Sequence, residues 1–265
     1  MARLLQLSDL HVVPEGELSS GVLDTRDLLK QSIDFLIERK MAIGPLDAVL
    51  ITGDISDDGS AESYKFAREQ LDRLELPLLP IPGNHDVREA TRAAFSDLDI
   101  VPRQGPINWT VDLGQSRIIG LDTLIEGQGK GRLASRSLSH LEDALATSSA
   151  ERVVVALHHP PLITGIQFMD EIGLENRSEL EKALSNFNGE ILFVAGHVHG
   201  VHHGSLKGHP VITAPAICSG FPFDCSETAP VGFHEGPRGC AIINTAVGGT
   251  WTMVSFDHGQ GPYAF

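Results

Sequence analysis

Residues 76–89, LPLLPIPGNHDVRE, carry an apolar run straight into an amide, an imidazole and a carboxylate. Leu78, Leu79 and Ile81 read as a strand, and Pro82-Gly83-Asn84 is turn chemistry, because Asx residues tolerate left-handed backbone. A turn alone leaves unexplained why Asn84, His85 and Asp86 stand together where the chain leaves its core. The fold is decided by whether other strands end in the same way.

They do. Short apolar runs at 4–7, 48–52, 77–81, 117–121, 153–157 and 191–195 read as strands. Helical stripes lie between them: Leu29, Ile33, Leu36 and Ile37; Tyr64, Ala67, Leu71 and Leu74; Leu138, Leu141 and Leu145 behind Ser137 as N-cap; and Leu180, Ala183, Leu184 and Phe187. Strands alternating with helices predict an α/β fold with a parallel or mixed sheet. After Gly200 the pattern turns to β-runs at 210–214, 240–244 and 250–256, the last two joined as a hairpin through Val247-Gly248-Gly249. No linker, repeat or charge block interrupts the chain, so a single domain over 1–265 is expected.

Five of the strands run into metal-capable side chains: Asp9 and His11, Asp54, Asn84 and His85, His158, and His197 and His199. In α/β sheets the carboxyl ends of strands line the ligand crevice, so residues far apart in sequence converge there. The i, i+2 spacing of Asp9/His11 and His197/His199 is read as an extended segment turning both side chains one way. Imidazoles, carboxylates and one amide without a thiolate suit Mn²⁺, Fe or Zn²⁺. Seven donors exceed one tetrahedral ion, and two bridged ions would use them all.

The totals exclude several classes. The 265 residues are 42% hydrophobic, enough for a sizeable core, and 20 Lys+Arg against 35 Asp+Glu give a formal charge of −15 that disfavours long nucleic acid. Residues 1–9 reach polar positions too early for a signal peptide's apolar stretch of ~7–15 residues, and no later run approaches the ~20 of a membrane helix. Cys218, Cys225 and Cys240 lack CxxC spacing and read as thiols of a reducing compartment. A soluble, cytoplasmic protein is expected.

The motifs DLH (9–11), GD (53–54), GNHD (83–86), HHPP (158–161) and GHVH (196–199), in this order, resemble the calcineurin-like metallophosphoesterases. More narrowly they resemble the bacterial class III cyclic-nucleotide phosphodiesterase and glycerophosphodiesterase branch. The resemblance implies a four-layer α/β/β/α sandwich, two mixed sheets flanked by helices, whose second sheet is completed by the β-rich part from about 205. It assigns Asp9, His11 and His199 to one metal, Asn84, His158 and His197 to the other, and Asp54 as the catalytic bridge. It places His85 against the phosphate as proton donor, with Asn84 beside it, and Asp86 behind them as an orienting group. Two divalent ions, Mn²⁺ and/or Fe²⁺/Fe³⁺ with Zn²⁺ or Co²⁺ as alternatives, would activate a bridging hydroxide against small phosphodiesters, either 3′,5′-cyclic nucleotides such as cAMP or glycerophosphodiesters. A small-molecule phosphomonoesterase is the alternative and a non-catalytic scaffold a further one; a homodimer or higher homo-oligomer is compatible. The phosphoprotein phosphatase pattern GDxxDRG is absent, Asp58 standing in place of its arginine.

The remaining polar positions draw blander readings. His159 faces away from the ligands, His202, His203 and His209 are solvated loop residues, and His140 is exposed on a helix. Asp57 and Asp58 belong to the turn and the start of the next helix. Asn176 is placed near the cleft by the resemblance. Within the loops 162–176 and 218–238, whose roles the sequence leaves open, the stretches 164–170 and 219–223 combine aromatics with turns and either select substrate by stacking a base or close the core.

Overall fold

A computed structural model describes residues 2–150, 152–246 and 248–257. In chain order the elements are β1 (Arg3–Leu7), α1 (Thr25–Glu38), α2 (Lys40–Ile43), β2 (Ala48–Thr52), α3 (Ala61–Asp72), β3 (Leu78–Ile81), α4 (Arg88–Ala94), β4 (Trp109–Leu113) and β5 (Ser116–Leu121). There follow α5 (Ser135–Ala146), β6 (Arg152–Leu157), α6 (Gln167–Glu171), α7 (Arg177–Ala183), β7 (Glu190–Ala195), β8 (His203–Leu206), β9 (His209–Thr213), β10 (Gly239–Asn244) and β11 (Trp251–Ser255).

The strands form two mixed sheets, ordered β11-β10-β1-β2-β3 and β4-β5-β6-β7-β9-β8. Alternation along β6 explains how they stack. Val154 and Ala156 join Leu4 and Leu50 in the core between the sheets. Val153, Val155 and Leu157 point outward to Leu141 and Leu145 of α5 and Leu180 of α7. Strands covered on both faces carry near-continuous apolar runs, and all five residues of β2 are buried. On the other side, Leu29, Ile33 and Leu36 of α1 and Tyr64, Ala67 and Leu71 of α3 cover the first sheet. The result is the expected α/β/β/α sandwich.

Several local expectations are corrected. The late β-rich segment divides: β8 and β9 extend the second sheet, whereas β10 pairs antiparallel with β1 and β11 with β10, extending the first. β10 and β11 are adjacent antiparallel strands as the hairpin reading requires, although Val247 lies outside the described residues. Ile37 is 38% exposed rather than part of the buried stripe. Ser137 does not cap α5, which begins at Ala134; its buried hydroxyl instead accepts from Asn108 Nδ2 at 3.0 Å. Among the described residues no helix is long and apolar enough to cross a membrane.

Candidate metal centre

The carboxyl ends of β1, β2, β3, β6 and β7 meet at one edge of the sandwich and bring the seven expected ligands together. The backbone there departs from the expected geometry. Asp9 (φ 53°), His11 (φ 46°), Asp54 (φ 50°), His197 (φ 71°) and His199 (φ 44°) are all left-handed. Asp9/His11 and His197/His199 therefore converge through paired left-handed residues, not along an extended segment as the i, i+2 spacing implies. The glycines before them make room. A Cβ on Gly53, itself at φ +95°, would lie 2.4 Å from His158 Nδ1, and one on Gly196 would lie 2.0 Å from Ser8 Oγ and 2.8 Å from Asp9 Oδ2. The two sheets are stitched together at this point, since the His197 amide donates to Asp9 Oδ1 at 3.0 Å and His158 Nδ1 lies 2.7 Å from the Thr52 carbonyl.

Each imidazole is oriented by its outward nitrogen. His11 Nδ1 lies 2.8 Å from Asp57 Oδ1, His158 Nδ1 lies 2.7 Å from the Thr52 carbonyl, and His199 Nδ1 lies 2.9 Å from Ser219 Oγ. A carboxylate and a carbonyl only accept, so His11 and His158 donate from Nδ1 and keep a lone pair on Nε2. Those lone pairs face other acceptors. His11 Nε2 is 3.2 Å from His199 Nε2 and 3.4 Å from Asp54 Oδ2, and His199 Nε2 is 3.5 Å from Asp9 Oδ1. His158 Nε2 is 3.2 Å from Asp54 Oδ2 and 3.0 Å from Asn84 Oδ1, which is 2.9 Å from His197 Nδ1. The other nitrogen of His197 is buried without a partner.

Acceptors so disposed repel unless a cation or a proton lies between them. Donors about 2.0–2.2 Å from one ion at 90–109° are roughly 2.8–3.6 Å apart, the range found here. The residues fit two ions with Asp54 Oδ2 common to both groups. Without a metal, protons substitute in part. Burial lowers His158, but the Asp54 carboxylate more than reverses this and raises it to about 9. Burial together with neighbouring imidazoles holds His197 and His199 well below the ordinary histidine range, in the neutral form a ligand needs.

A family model described as calcineurin-like phosphoesterase matches residues 2–201. The chain belongs to the calcineurin-like phosphoesterases. It is 30% identical over 265 residues to a probable glycerophosphodiester phosphodiesterase, GpdQ, of Arcobacter nitrofigilis, covering 99% of this chain and 96% of that protein. It is 31% identical over 219 residues to the 3′,5′-cyclic adenosine monophosphate phosphodiesterase CpdA of Pseudomonas aeruginosa, covering 82% and 77%. A dimetal phosphatase from Danio rerio superposes with a TM-score of 0.67 at 16% identity, over 97% of this chain and 99% of that one, a likeness of fold. Calcineurin-like phosphoesterases use binuclear metal sites, and the His and Asp groups of this chain cluster accordingly.

In this phosphoesterase Asp57 has a larger part than its sequence position indicates. Besides holding His11, its Oδ1 lies 3.2 Å from His85 Nδ1, and its carbonyl lies 3.3 Å from the same nitrogen. Burial opposes the Asp57 charge, but hydrogen bonds from His11 and His85 outweigh it and hold the carboxyl well below its ordinary range. Burial also pulls His85 down, and the Asp57 hydrogen bond with the Asp54 and Asp57 charges raises it to about 9 in the metal-free protein. Asp58 does perform helix-start chemistry, accepting from Ser60 N, Ser56 Oγ and Ser63 Oγ. Nothing in the sequence separates the two aspartates. Asp86 orients the loops as expected, accepting from the amides of Gly83, Ile55 and Ser56 and from the Tyr64 hydroxyl.

Of the other histidines among the described residues, His159 alone clusters with ligands, beside His158 and His197, but both of its ring nitrogens are already engaged. His159 is buried between Thr123 Oγ1 (2.8 Å) and the Gly129 carbonyl (3.0 Å), and burial with the His158 charge lowers it to about 3. His202, His203 and His209 do not line the cleft. His140 is half-buried, 3.0 Å from Thr110 Oγ1, rather than exposed. Asn176 is away from the cleft, clamping the backbone of Leu133 through both ends of its amide. Cys218 Sγ approaches His199 Nδ1 at 3.8 Å, and burial pushes its thiol up, against a thiolate ligand. The cleft of about 150 Å³ is lined beyond the ligands by Met169, Ile172 and Phe221 from the expected loops, with Phe221 stacked 4.3 Å from His199. Phe233 lines it from the loop 218–238, and Ser19, Ser20 and Leu23 also line it, without any sequence signal that singles them out.

Proposed function

We propose that this chain is a binuclear-metal phosphodiesterase acting on small diesters, with 3′,5′-cyclic nucleotides such as cAMP and glycerophosphodiesters as its substrate classes. The observation that carries the reading is the approach of His11 Nε2 and His199 Nε2 to 3.2 Å beside the shared Asp54 carboxylate. Asp9, His11 and His199 would hold one ion, Asn84, His158 and His197 the other, and Asp54 would bridge them. Imidazole, carboxylate and amide donors suit Mn²⁺ or Fe. Bound there, the ions supply an activated water and offset charge on the phosphoryl group.

The chain's own residues do the rest. Asn84 Nδ2 has no protein partner among the described residues and is free to donate to a phosphoryl oxygen. His85, held at Nδ1 by Asp57, presents Nε2 to the leaving oxygen. As the P–O bond breaks, its proton goes to that oxygen, so the arm departs as an alcohol, an effect typically worth ~10²–10⁴ in rate. Among the described residues no lysine or arginine lines the cleft, which disfavours the dianion of a phosphomonoester. The diesterase names of the GpdQ and CpdA relatives support the same choice.

The test is chelation followed by reconstitution with Mn²⁺ or Fe²⁺, then kcat/KM on cAMP, cGMP, glycerophosphocholine, bis(p-nitrophenyl) phosphate and phosphomonoesters. Metal-dependent turnover with diesters preferred is expected. Preference for monoesters, or activity indifferent to chelation, overturns the reading.

A further inference from the structure

The groups that handle the phosphoryl centre come from strand ends, but the space in front of them is walled by segments without a metal motif. Phe221, Met169 and Ile172 form an apolar wall, and Phe233 also lines the cleft. The β1–α1 connection contributes Ser19 and Ser20. That connection is a tight, fully bonded turn: Ser19 N donates to the Leu23 carbonyl at 2.9 Å, Leu23 N to that of Ser19 at 3.0 Å, and Gly21 N to that of Leu18 at 3.0 Å. Inside it Ser20 sits at φ 52° and Gly21 at φ 70°. Left-handed backbone is uphill for a residue with a Cβ and free for glycine. Backbone preference alone would therefore place glycine at 20, yet the turn carries a hydroxyl there, at the cleft.

Neither serine hydroxyl makes a hydrogen bond to a protein group among the described residues, and Ser20 is exposed. Among the described residues no lysine or arginine is on the lining, and an organic arm lying against this turn meets hydroxyls and hydrocarbon. Strain held at a cleft points to a contact made there with a ligand.

We infer that the Ser19–Ser20 turn reads a hydroxyl on the organic arm of the substrate, a polyol arm such as glycerol or ribose, with Ser20 as the specificity-determining residue. The inference rests on the phosphodiesterase reading above. One neutral hydrogen bond changes kcat/KM by about 3- to 10-fold.

The experiment compares substrates that differ by hydroxyls alone. cAMP against 2′-deoxy-cAMP tests the ribose source, and glycerophosphoethanolamine against propyl phosphoethanolamine tests glycerol. Wild-type protein should prefer the hydroxylated member of one pair by about 3- to 10-fold, and that pair identifies the arm. Ser20→Ala and Ser20→Gly should both bring the ratio near one, while Ser20→Gly raises Tm by relieving the turn. If Ser20→Gly restored the preference lost in Ser20→Ala, the serine would be merely structural and the inference would fall. Turnover of bis(p-nitrophenyl) phosphate without preference in either pair overturns this inference alone, whereas failure to hydrolyse any diester overturns the phosphodiesterase reading with it.

Discussion

Asp86 offers the sharpest energetic test, because one carboxylate ties together the two loops that carry Asp54 and Asn84. It is 2% exposed and accepts from Gly83 N at 2.8 Å, Ile55 N at 3.1 Å, Ser56 N at 3.1 Å and Tyr64 Oη at 2.7 Å. Removing an acceptor strands its donors, at about 1–3 kcal/mol for each buried group. Asp86→Ala strands four, so even the lower end gives about 4 kcal/mol, a large part of a stability of roughly 5–15 kcal/mol. Asp86→Asn keeps one oxygen and turns an amide N–H toward amides that need an acceptor, so about 2 kcal/mol is expected. Tyr64→Phe should cost about 1 kcal/mol and should be non-additive with Asp86→Asn, since the two share a bond. Urea unfolding of metal-free protein isolates these terms from metal linkage, and competition with a chromogenic chelator then reads metal affinity, which should weaken in Asp86→Asn. An Asp86→Asn protein within about 0.5 kcal/mol of wild type, with unaltered metal affinity, would refute the idea that this carboxylate sets the loops.

Separate roles for the other residues give separable outcomes. Asp54→Ala should abolish binding of the metal pair, whereas His85→Ala should retain both metals by elemental analysis and lose ~10²–10⁴ in kcat; equal metal loss in both contradicts the assignment. Asp57→Asn removes a group that raises His85. A general acid works in its protonated form, below its pKa, so the alkaline fall of the pH–rate profile should move to lower pH in Asp57→Asn, and an unmoved limb would count against the Asp57–His85 pairing. Cys225 is exposed while Cys218 and Cys240 are buried, Cys240 pushed up to about 12 by that burial. A chromogenic disulfide should therefore titrate one thiol in the native protein and three after denaturation, and two fast thiols would contradict the packing of the late loop.

The nine strands read from apolar runs all exist, each within one residue at either end. Inner strands such as β2 are buried on both faces and write their position as uninterrupted hydrophobicity, whereas β11 has no buried residue and is legible as the second arm of a hairpin. The two that escape the reading are edge strands. β4 (Trp109–Leu113) is largely half-exposed, and β8 (His203–Leu206) has one buried residue and contains a glycine, so neither has an apolar run to be read. The candidate ligand set is legible for a related reason: its donors follow buried strands, and five such endings coincide. Asp57 is not legible, since its role depends on the turn that carries it back to His11 and His85, and an aspartate beside another aspartate looks like helix-start chemistry. The cleft walls are hidden further, because Ser20 and Phe233, far apart in sequence, come to one cleft only through the fold.

The left-handed ligands show where sequence and geometry part. Asp9, His11, Asp54, His197 and His199 are five of the eight non-glycine residues with positive φ among the described residues. At about 1–2 kcal/mol each, such backbone persists only when neighbouring contacts overdetermine it. Those contacts are present: Asp9 N donates to the Gly53 carbonyl at 3.1 Å, Leu10 N and His11 N to that of Asp54 at 2.8 and 2.9 Å, and His197 N to the Asp9 carboxylate. The strained residues thus hold one another across strand ends before any ion arrives. A metal that enters meets lone pairs already forced to about 3 Å, and its binding relieves that repulsion. Folding energy is thereby converted into metal affinity, and for this reason weakening the loops at Asp86, which touches no ligand atom, is expected to weaken the site.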